Sequence, residues 1–290
     1  MNTKPFVSEF RSVFNNTHWH DGFYKFLQNI YRLYPEDRFH ALIKEVSQEL
    51  DDDEAIYRRV QRELPKIKPF LADLRLALPS LFKQKREMAD QTLRLLPGTQ
   101  SINGYVEIGT TGRYISELRK RLRFDGPIFL VNEKAPTNSP VDIAERGGFT
   151  KIGQFLPLDY QPIPLSIADA SVDLVTCYVG LHHCPPTQLI AFVKSIARVL
   201  RPGGRFILRD HDVTTHEMFI FVSLVHTVFN LGLNESWETN QQELRHFRSI
   251  EQWIALLAEC GLVDQGKREL QAHDPSDNVL LAFVKSGADK

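Results

Sequence analysis

"GYVEIGTTGRYISELRKRLR", residues 104–123, is the stretch on which the reading of this chain turns. An apolar run is interrupted only by Glu107 and stops at Gly109. A short polar turn comes next, closed by Gly112, and then a segment that reads as a helix. Glycines let a backbone come close to a ligand, and the first N–H groups of a helix are free to meet one. A dinucleotide fold would place G-x-G-x-x-G here, but the loop reads G-T-T-G, and no G-x-x-x-x-G-K-[ST] phosphate loop occurs. The acid ahead of the first glycine repels a pyrophosphate and suits a ligand carrying positive charge.

Beyond this stretch the pattern alternates. Strand-like runs are "GYVEIG", "PIFLVNE", "FTKIGQFL", "SVDLVTCYV", "GRFILRD", "LVDQGKREL" and "NVLLAFVK". Helical stretches fall between them: "GRYISELRKRLR", "SPVDIAERG", "TQLIAFVKSIARVL", "THEMFIFVSLVHTVFN" and "SIEQWIALLAECG". Alternation of this kind predicts an α/β fold, a mostly parallel sheet with helices on both faces and right-handed connections. The last two strands lack a full helix between them, so they are expected as an antiparallel edge hairpin.

Residues 1–97 read as all-helical. Phe23, Phe26, Leu27, Ile30 and Tyr31 recur at helical spacing, Pro35 breaks the pattern, and Phe39, Leu42 and Ile43 resume it. Pro65, Pro69 and Pro79 punctuate the second half of this region. The turn-rich "PGTQSING", residues 97–104, marks the expected boundary between a helical domain, 1–97, and an α/β domain, 98–290.

The formal net charge of −1 provides no global attraction to nucleic acid or an acidic membrane. Three scattered cysteines make neither a disulfide framework nor a zinc cluster. The N-terminus lacks the apolar core of a secretion signal, and no run reaches the roughly 18 to 20 apolar residues of a membrane span. A cytoplasmic location is expected.

An acid, Glu133, ends the second strand about two dozen residues after the glycine loop. "FLPLDY" with Asp159, "SVDLVTCYVGLHH" and "RVLRPGGRFILRD" come after it in order. This series, over roughly residues 100 to 285, resembles the class I S-adenosylmethionine-dependent methyltransferases, and within them the small-molecule branch. The resemblance implies a Rossmann-like seven-stranded sheet and S-adenosylmethionine as cofactor. It departs from the family at the loop, which is one residue short and lacks the middle glycine, with Thr110 and Thr111 between Gly109 and Gly112.

Residue by residue, the resemblance implies that Glu107, Gly109, Thr110, Thr111 and Gly112 line the methionine part of the cofactor. Glu133, or its neighbour Asn132, would take the ribose hydroxyls, and Asp159, with Tyr160 beside it, the adenine amino group. Cys177 to Leu181, including Tyr178, would lie beneath. In such enzymes an N-terminal helical element often covers the site.

Candidates for proton transfer belong at the carboxyl ends of the fourth and fifth strands: His183 in "LHHCPP", and Asp210 and His211 in "RDHDVTTH". A carboxylate holds an imidazole in one tautomer and raises its basicity. Alternatively, His182 and His183 start a helix or hold a loop, and Asp212 or Thr214 caps the next helix. Mixed nitrogen and oxygen ligands occur here, but their spacing matches no familiar metal site, and no metal is expected. "RKRLR" reads as a solvated helix face. The leading expectation is methyl transfer to a small or medium-sized acceptor. The alternatives are an RNA or protein methyltransferase, or a silent module that binds a partner through its helical half.

Overall fold

A computed structural model describes residues 7–68 and 78–287. The chain forms two units. One takes the described residues up to Ser80 with Val213–Phe247 and Ala272–Asp277; the other takes Leu81–Asp212, Arg248–Gln271 and the chain from Asn278 onward.

The helical unit contains α1 (Glu9–Phe14), α2 (Thr17–Phe26) with a π-helical turn (Leu27–Tyr31), α3 (Glu36–Glu49), α4 (Asp53–Ile67), α9 (His216–Gly232) and α10 (Trp237–Gln242). Asn16, Asp52, Thr215 and Ser236 cap helix starts, each accepting from the amide three residues on. "NNTHWHDGF" is therefore a helix entry. A helix apolar on all sides has to be buried. Accordingly, Phe221, Val222, Leu224, Val225, Val228 and Leu231 of α9 share one core with Phe10, Phe23, Phe26, Ile43, Tyr57 and Val60. Among the described residues, no helix is long and apolar enough to cross a membrane.

The other unit is built on a seven-stranded sheet of β1 (Ser101–Ile108), β2 (Arg123–Asn132), β3 (Gln154–Pro157), β4 (Val172–Cys177), β5 (Leu200–His211), β6 (Leu262–Leu270) and β7 (Asn278–Lys285). The strand order is β3-β2-β1-β4-β5-β7-β6. β1 to β5 pair in parallel, and β7 runs antiparallel to β5 and β6. This is the expected fold class, edge hairpin included. Phe192, Val193 and Ile196 of α8 (Pro186–Val199) and Trp253 and Leu257 of α11 (Ile250–Glu259) form a core with Val106, Val175, Phe206 and Phe283. Met88 and Leu95 of α5 (Leu78–Leu95) pack with Tyr105, Leu174, Ile207 and Leu280.

The division of the chain differs from a single cut at residue 97. From Leu81 onward α5 belongs to the sheet unit, because its apolar face meets the sheet; α9 and α10 belong with the N-terminal helices. β1 begins inside the expected linker. Gly104 makes this start workable: its φ is +83°, the pairing slips between Asn103 and Tyr105, and a Cβ would stand 2.6 Å from the Ser171 carbonyl. The helix expected over 112–123 shrinks to α6 (Ile115–Leu118), because Arg123 is already paired with Ser101 in β2. β3 covers only the end of "FTKIGQFL", and Phe149 lies exposed outside it. Pro65 sits within α4 and Pro79 within α5; Pro69 lies outside the described residues.

Candidate active site

Parallel register places the strand ends side by side. Ile108 pairs with Val131 and Cys177, Asn132 with Pro157, and Cys177 with Leu208. The chain leaves β1 toward β2 and β3, then returns to β4 on the other side, so the β1–β4 junction is the switch point where open α/β sheets bind ligands. The loops after β1, β2, β3, β4 and β5 therefore share one edge. Of the residues singled out from the sequence, Gly109, Thr110, Thr111 and Gly112 lie in the loop after β1, Glu107 lies within β1 beside its end, and the remainder lie at the other four ends.

The glycine loop is held from within by Glu107. This carboxylate is fully buried and accepts from the hydroxyl of Thr110, the amides of Tyr114 (3.2 Å) and Ile115 (2.9 Å), and the phenol of Tyr105 (3.0 Å). Burial raises its pKa, and these hydrogen bonds act against the rise. The Thr110 oxygen also accepts from the amides of Gly112 and Arg113, both at 3.2 Å. Gly109 has φ +90°, and a Cβ there would lie 2.3 Å from a methyl of Val179. Gly112 has φ +99°. Two polar atoms of the loop, Thr111 Oγ1 and Arg113 Nε, are buried without a hydrogen-bond partner, although the Arg113 guanidinium pairs with Glu145 through its other end.

At the end of β2, Asn132 is half-buried and donates to the Lys134 carbonyl (3.0 Å), while Glu133 is exposed. Buried Arg146 of α7 (Pro140–Arg146) fixes the chain beyond, donating to the carbonyls of Thr137, Gly148 and Phe149 and to the Asn138 side chain. After β3, Asp159 is exposed and caps the turn by accepting from the Gln161 amide (2.9 Å). Tyr160 adopts a left-handed φ of 58°, uncommon for a bulky residue, and its ring meets Phe192 edge-on at 5.5 Å. Asp159, Tyr160 and Phe192 help line a hollow of about 90 Å³ with Val131, Leu156 and Ile163. Burial raises the Tyr160 pKa, with smaller contributions from Cys177, Cys184, Glu133 and Asp210.

Tyr178 is placed differently. Its phenol bonds with Thr92 of α5 (2.9 Å) and its ring packs on Tyr114 at 4.4 Å, which gives it a buried packing position on the α5 side. Cys177 and Cys184 are buried, and burial pushes both thiols up to about 12, far from thiolate chemistry.

Asp210 is fully buried at the end of β5. It accepts from His182 Nδ1 (2.7 Å), the His211 amide (2.9 Å) and the Leu181 amide (2.7 Å). The carboxylate thus joins the β4 and β5 loops, and its imidazole partner is His182. With Nδ1 donating, a neutral His182 ring carries its basic lone pair on Nε2. Gly180, at φ +86°, makes room for this ring, which lies 2.4 Å from where a Cβ would stand. His183 lies against His182 at 4.1 Å, and His211 at 5.6 Å with its own Nε2 3.3 Å from Asn278. Asp212 accepts from the Ile250 amide (3.0 Å) at the start of α11, whose cap is Ser249, and Thr215 caps α9, so neither Asp212 nor Thr214 has the helix-capping place considered for it. The His182–Asp210 pair joins residues 28 apart in sequence. The signal for it is the β4–β5 register, in which Cys177 lies beside Leu208.

Residues 108–208 match the family described as "Methyltransferase domain". No curated protein matches the chain. Among solved structures, the CurJ carbon methyltransferase aligns over 93% of this chain and 71% of its own, at 16% identity and a TM-score of 0.51, a likeness of fold. The 1,6-didemethyltoxoflavin-N1-methyltransferase of Burkholderia thailandensis, solved with 1,6-didemethyltoxoflavin and S-adenosylhomocysteine, aligns over 70% of this chain and 79% of its own, at 14% identity and a TM-score of 0.46. An S-adenosylmethionine-dependent methyltransferase from Mesorhizobium loti aligns over 69% and 97%, at 14% identity and a TM-score of 0.47. The family match runs from the end of β1 across the switch point into β5, on a sheet of this order, so this part of the chain is a methyltransferase domain of the S-adenosylmethionine-dependent class I kind, whose cofactor is S-adenosylmethionine.

Proposed function

We propose that this chain methylates a small or medium-sized acceptor, and that His182, held by Asp210, takes the proton released by the acceptor's nucleophilic atom. The observation that carries this reading is the buried 2.7 Å Asp210–His182 pair on the same sheet edge as the glycine loop. A carboxylate on Nδ1 fixes the ring and makes Nε2 the basic atom.

The residues present fit the cofactor. Gly109 and Gly112 leave the loop bare of Cβ atoms at left-handed positions, which suits the amino-acid end. The exposed Glu133 suits the ribose hydroxyls, with Asn132 beside it. Asp159 suits the adenine amino group, and Tyr160 and Phe192 give the hollow aromatic walls. S-adenosylmethionine, when bound, supplies a methyl group already activated on sulfur. The chain's own work is then alignment, exclusion of water and custody of a proton. A net charge of −1 favours a small acceptor over RNA.

Calorimetry with S-adenosylmethionine and S-adenosylhomocysteine tests the first half of the reading. If neither binds at millimolar concentration, the enzyme reading falls and the partner-binding module, favoured by the short loop, takes its place. Comparing metabolites of cells with and without the protein by mass spectrometry, for a missing CH2 increment, identifies the acceptor. With it, His182→Gln and Asp210→Asn are expected to keep cofactor affinity within about threefold and lower turnover by roughly 10²-fold or more. Unchanged turnover in both would remove His182 from the chemistry.

A further inference from the structure

We infer that Arg146 is a positioning residue for Glu133: it clasps the chain on both sides of α7, and so holds the loop that carries the acid in place before any ligand arrives. The inference rests on the cofactor reading above, in which Glu133 meets the ribose hydroxyls, and adds to it the residue that sets how firmly that acid is placed.

The segment from Glu133 to Ser139 joins β2 to α7, and all of it except Pro136 is exposed. A surface connection of this kind has little apolar packing to order it, so its shape depends on its hydrogen bonds. At its start Asn132 donates to the Lys134 carbonyl (3.0 Å). At its end Asp142 accepts from both the amide and the hydroxyl of Thr137, and Ser139 caps α7 by accepting from the Asp142 amide (3.1 Å). These bonds are local.

Arg146 makes a wider connection. From the last position of α7 it reaches back to the Thr137 carbonyl and the Asn138 side chain (2.8 Å), and forward to the carbonyls of Gly148 (2.9 Å) and Phe149 (3.2 Å). It is 1% exposed, yet none of these four acceptors is a carboxylate. Taking a cation out of water costs stability, and three carbonyls and one amide offset that cost less well than an acid would. A charge buried on such terms calls for a role beyond packing. The planar fork supplies one, since it meets several acceptors at once, which an ammonium cannot copy. α7 is itself tied to α5, where buried Lys85 donates to the carbonyls of Ala144 (3.2 Å) and Glu145. Arg146 therefore refers the Glu133 loop to a fixed frame. An acid on a placed loop binds without first ordering the chain, whereas on a loose loop that cost is taken from the affinity.

The test uses Arg146→Met and Arg146→Lys, and two probes: S-adenosylhomocysteine and its 2′,3′-dideoxy analogue, which lacks both ribose hydroxyls. Both variants are expected to bind S-adenosylhomocysteine about tenfold more weakly than wild type, since lysine keeps the charge but not the fork. Their affinity for the analogue stays that of wild type. On a Glu133→Ala background, Arg146→Met adds no further loss, because the residue it serves is gone. Asn138→Ala removes one contact of four and leaves the guanidinium in place; it should show the same pattern at about threefold, so the result does not depend on the arginine variants folding. Equal losses for both probes, no loss for either, or losses that add in the double variant would each overturn the inference. Wild type that binds neither probe brings down the cofactor reading, and Glu133→Ala that binds as wild type brings down the ribose assignment. Either takes this inference with it, and both are told apart from a failure at Arg146 because they are read on proteins that keep the arginine.

Discussion

Glu107 and Asp210 are both fully buried, and each is held by donors from its surroundings: four for Glu107, three for Asp210. An isolated buried carboxylate is strongly disfavoured, so these hydrogen bonds are a condition of the fold. Glu107 uses its bonds to shape one loop, Asp210 to join two. Gly109 is the residue most constrained by the first arrangement. Gly109→Ala is expected to displace the loop, because its methyl would overlap Val179 at a φ of +90°. The strain is about 1–3 kcal/mol before the overlap is counted. S-adenosylhomocysteine calorimetry should then record a large loss of affinity, and wild-type binding would mean that loop and Val179 separate freely. At this scale the sequence was legible where chemistry is local: acid, glycine and threonine stand within six positions. It was not legible where side-chain direction decides. Tyr178 and Cys177 are neighbours, yet successive residues at a strand end face opposite ways, and the Tyr178 phenol goes to Thr92. His182 is the ring that donates to Asp210 through Nδ1, because the β4–β5 register and the left-handed Gly180 bring it there.

The elements follow periodicity closely when they are long. α8, α9 and α11 were each legible as a helical stretch between strand-like runs. Short elements are set by their partners instead. α6 is cut to four residues by the start of β2, and the π-helical turn after α2 ends at Arg32, whose φ of 43° no hydrophobic pattern announces. The packing of α9 has a measurable consequence. Phe221 is fully buried with Trp19 at 5.0 Å and Phe23 at 6.2 Å. Phe221→Ala should therefore destabilise the helical unit by about 3–5 kcal/mol. Denaturant unfolding followed by tryptophan fluorescence reads this change, and a loss below about 1 kcal/mol would contradict the tight packing around that ring.

At the scale of the whole molecule, His40 ties the stability of the helical unit to pH. Burial pulls His40 from 6.5 to about 4, helped by the His20 ring 4.4 Å away; the His20 carbonyl near its Nε2 and Asp21 oppose the shift, and Lys44 adds to it. Folded, the imidazole stays neutral through a range in which the unfolded chain's is protonated. The unfolded state therefore binds more protons between those values, and stability falls as pH falls from 6.5 toward 4. The loss is on the order of 2 kcal/mol. In His40→Phe the fall in melting temperature over this window should be shallower, and an equal slope would assign the acid sensitivity to other groups. The helical unit has one more property rooted in its make-up, since it is assembled from three separated pieces of chain, the last being Ala272–Asp277. On the ribosome its first helices emerge long before α9, the helix that fills their core. They must wait, with Phe23, Phe26 and Tyr57 still wet, until the chain has been made through α9. A gene fragment encoding residues 1–97 alone should yield an aggregating product, and nascent chains should lean on chaperones throughout that delay.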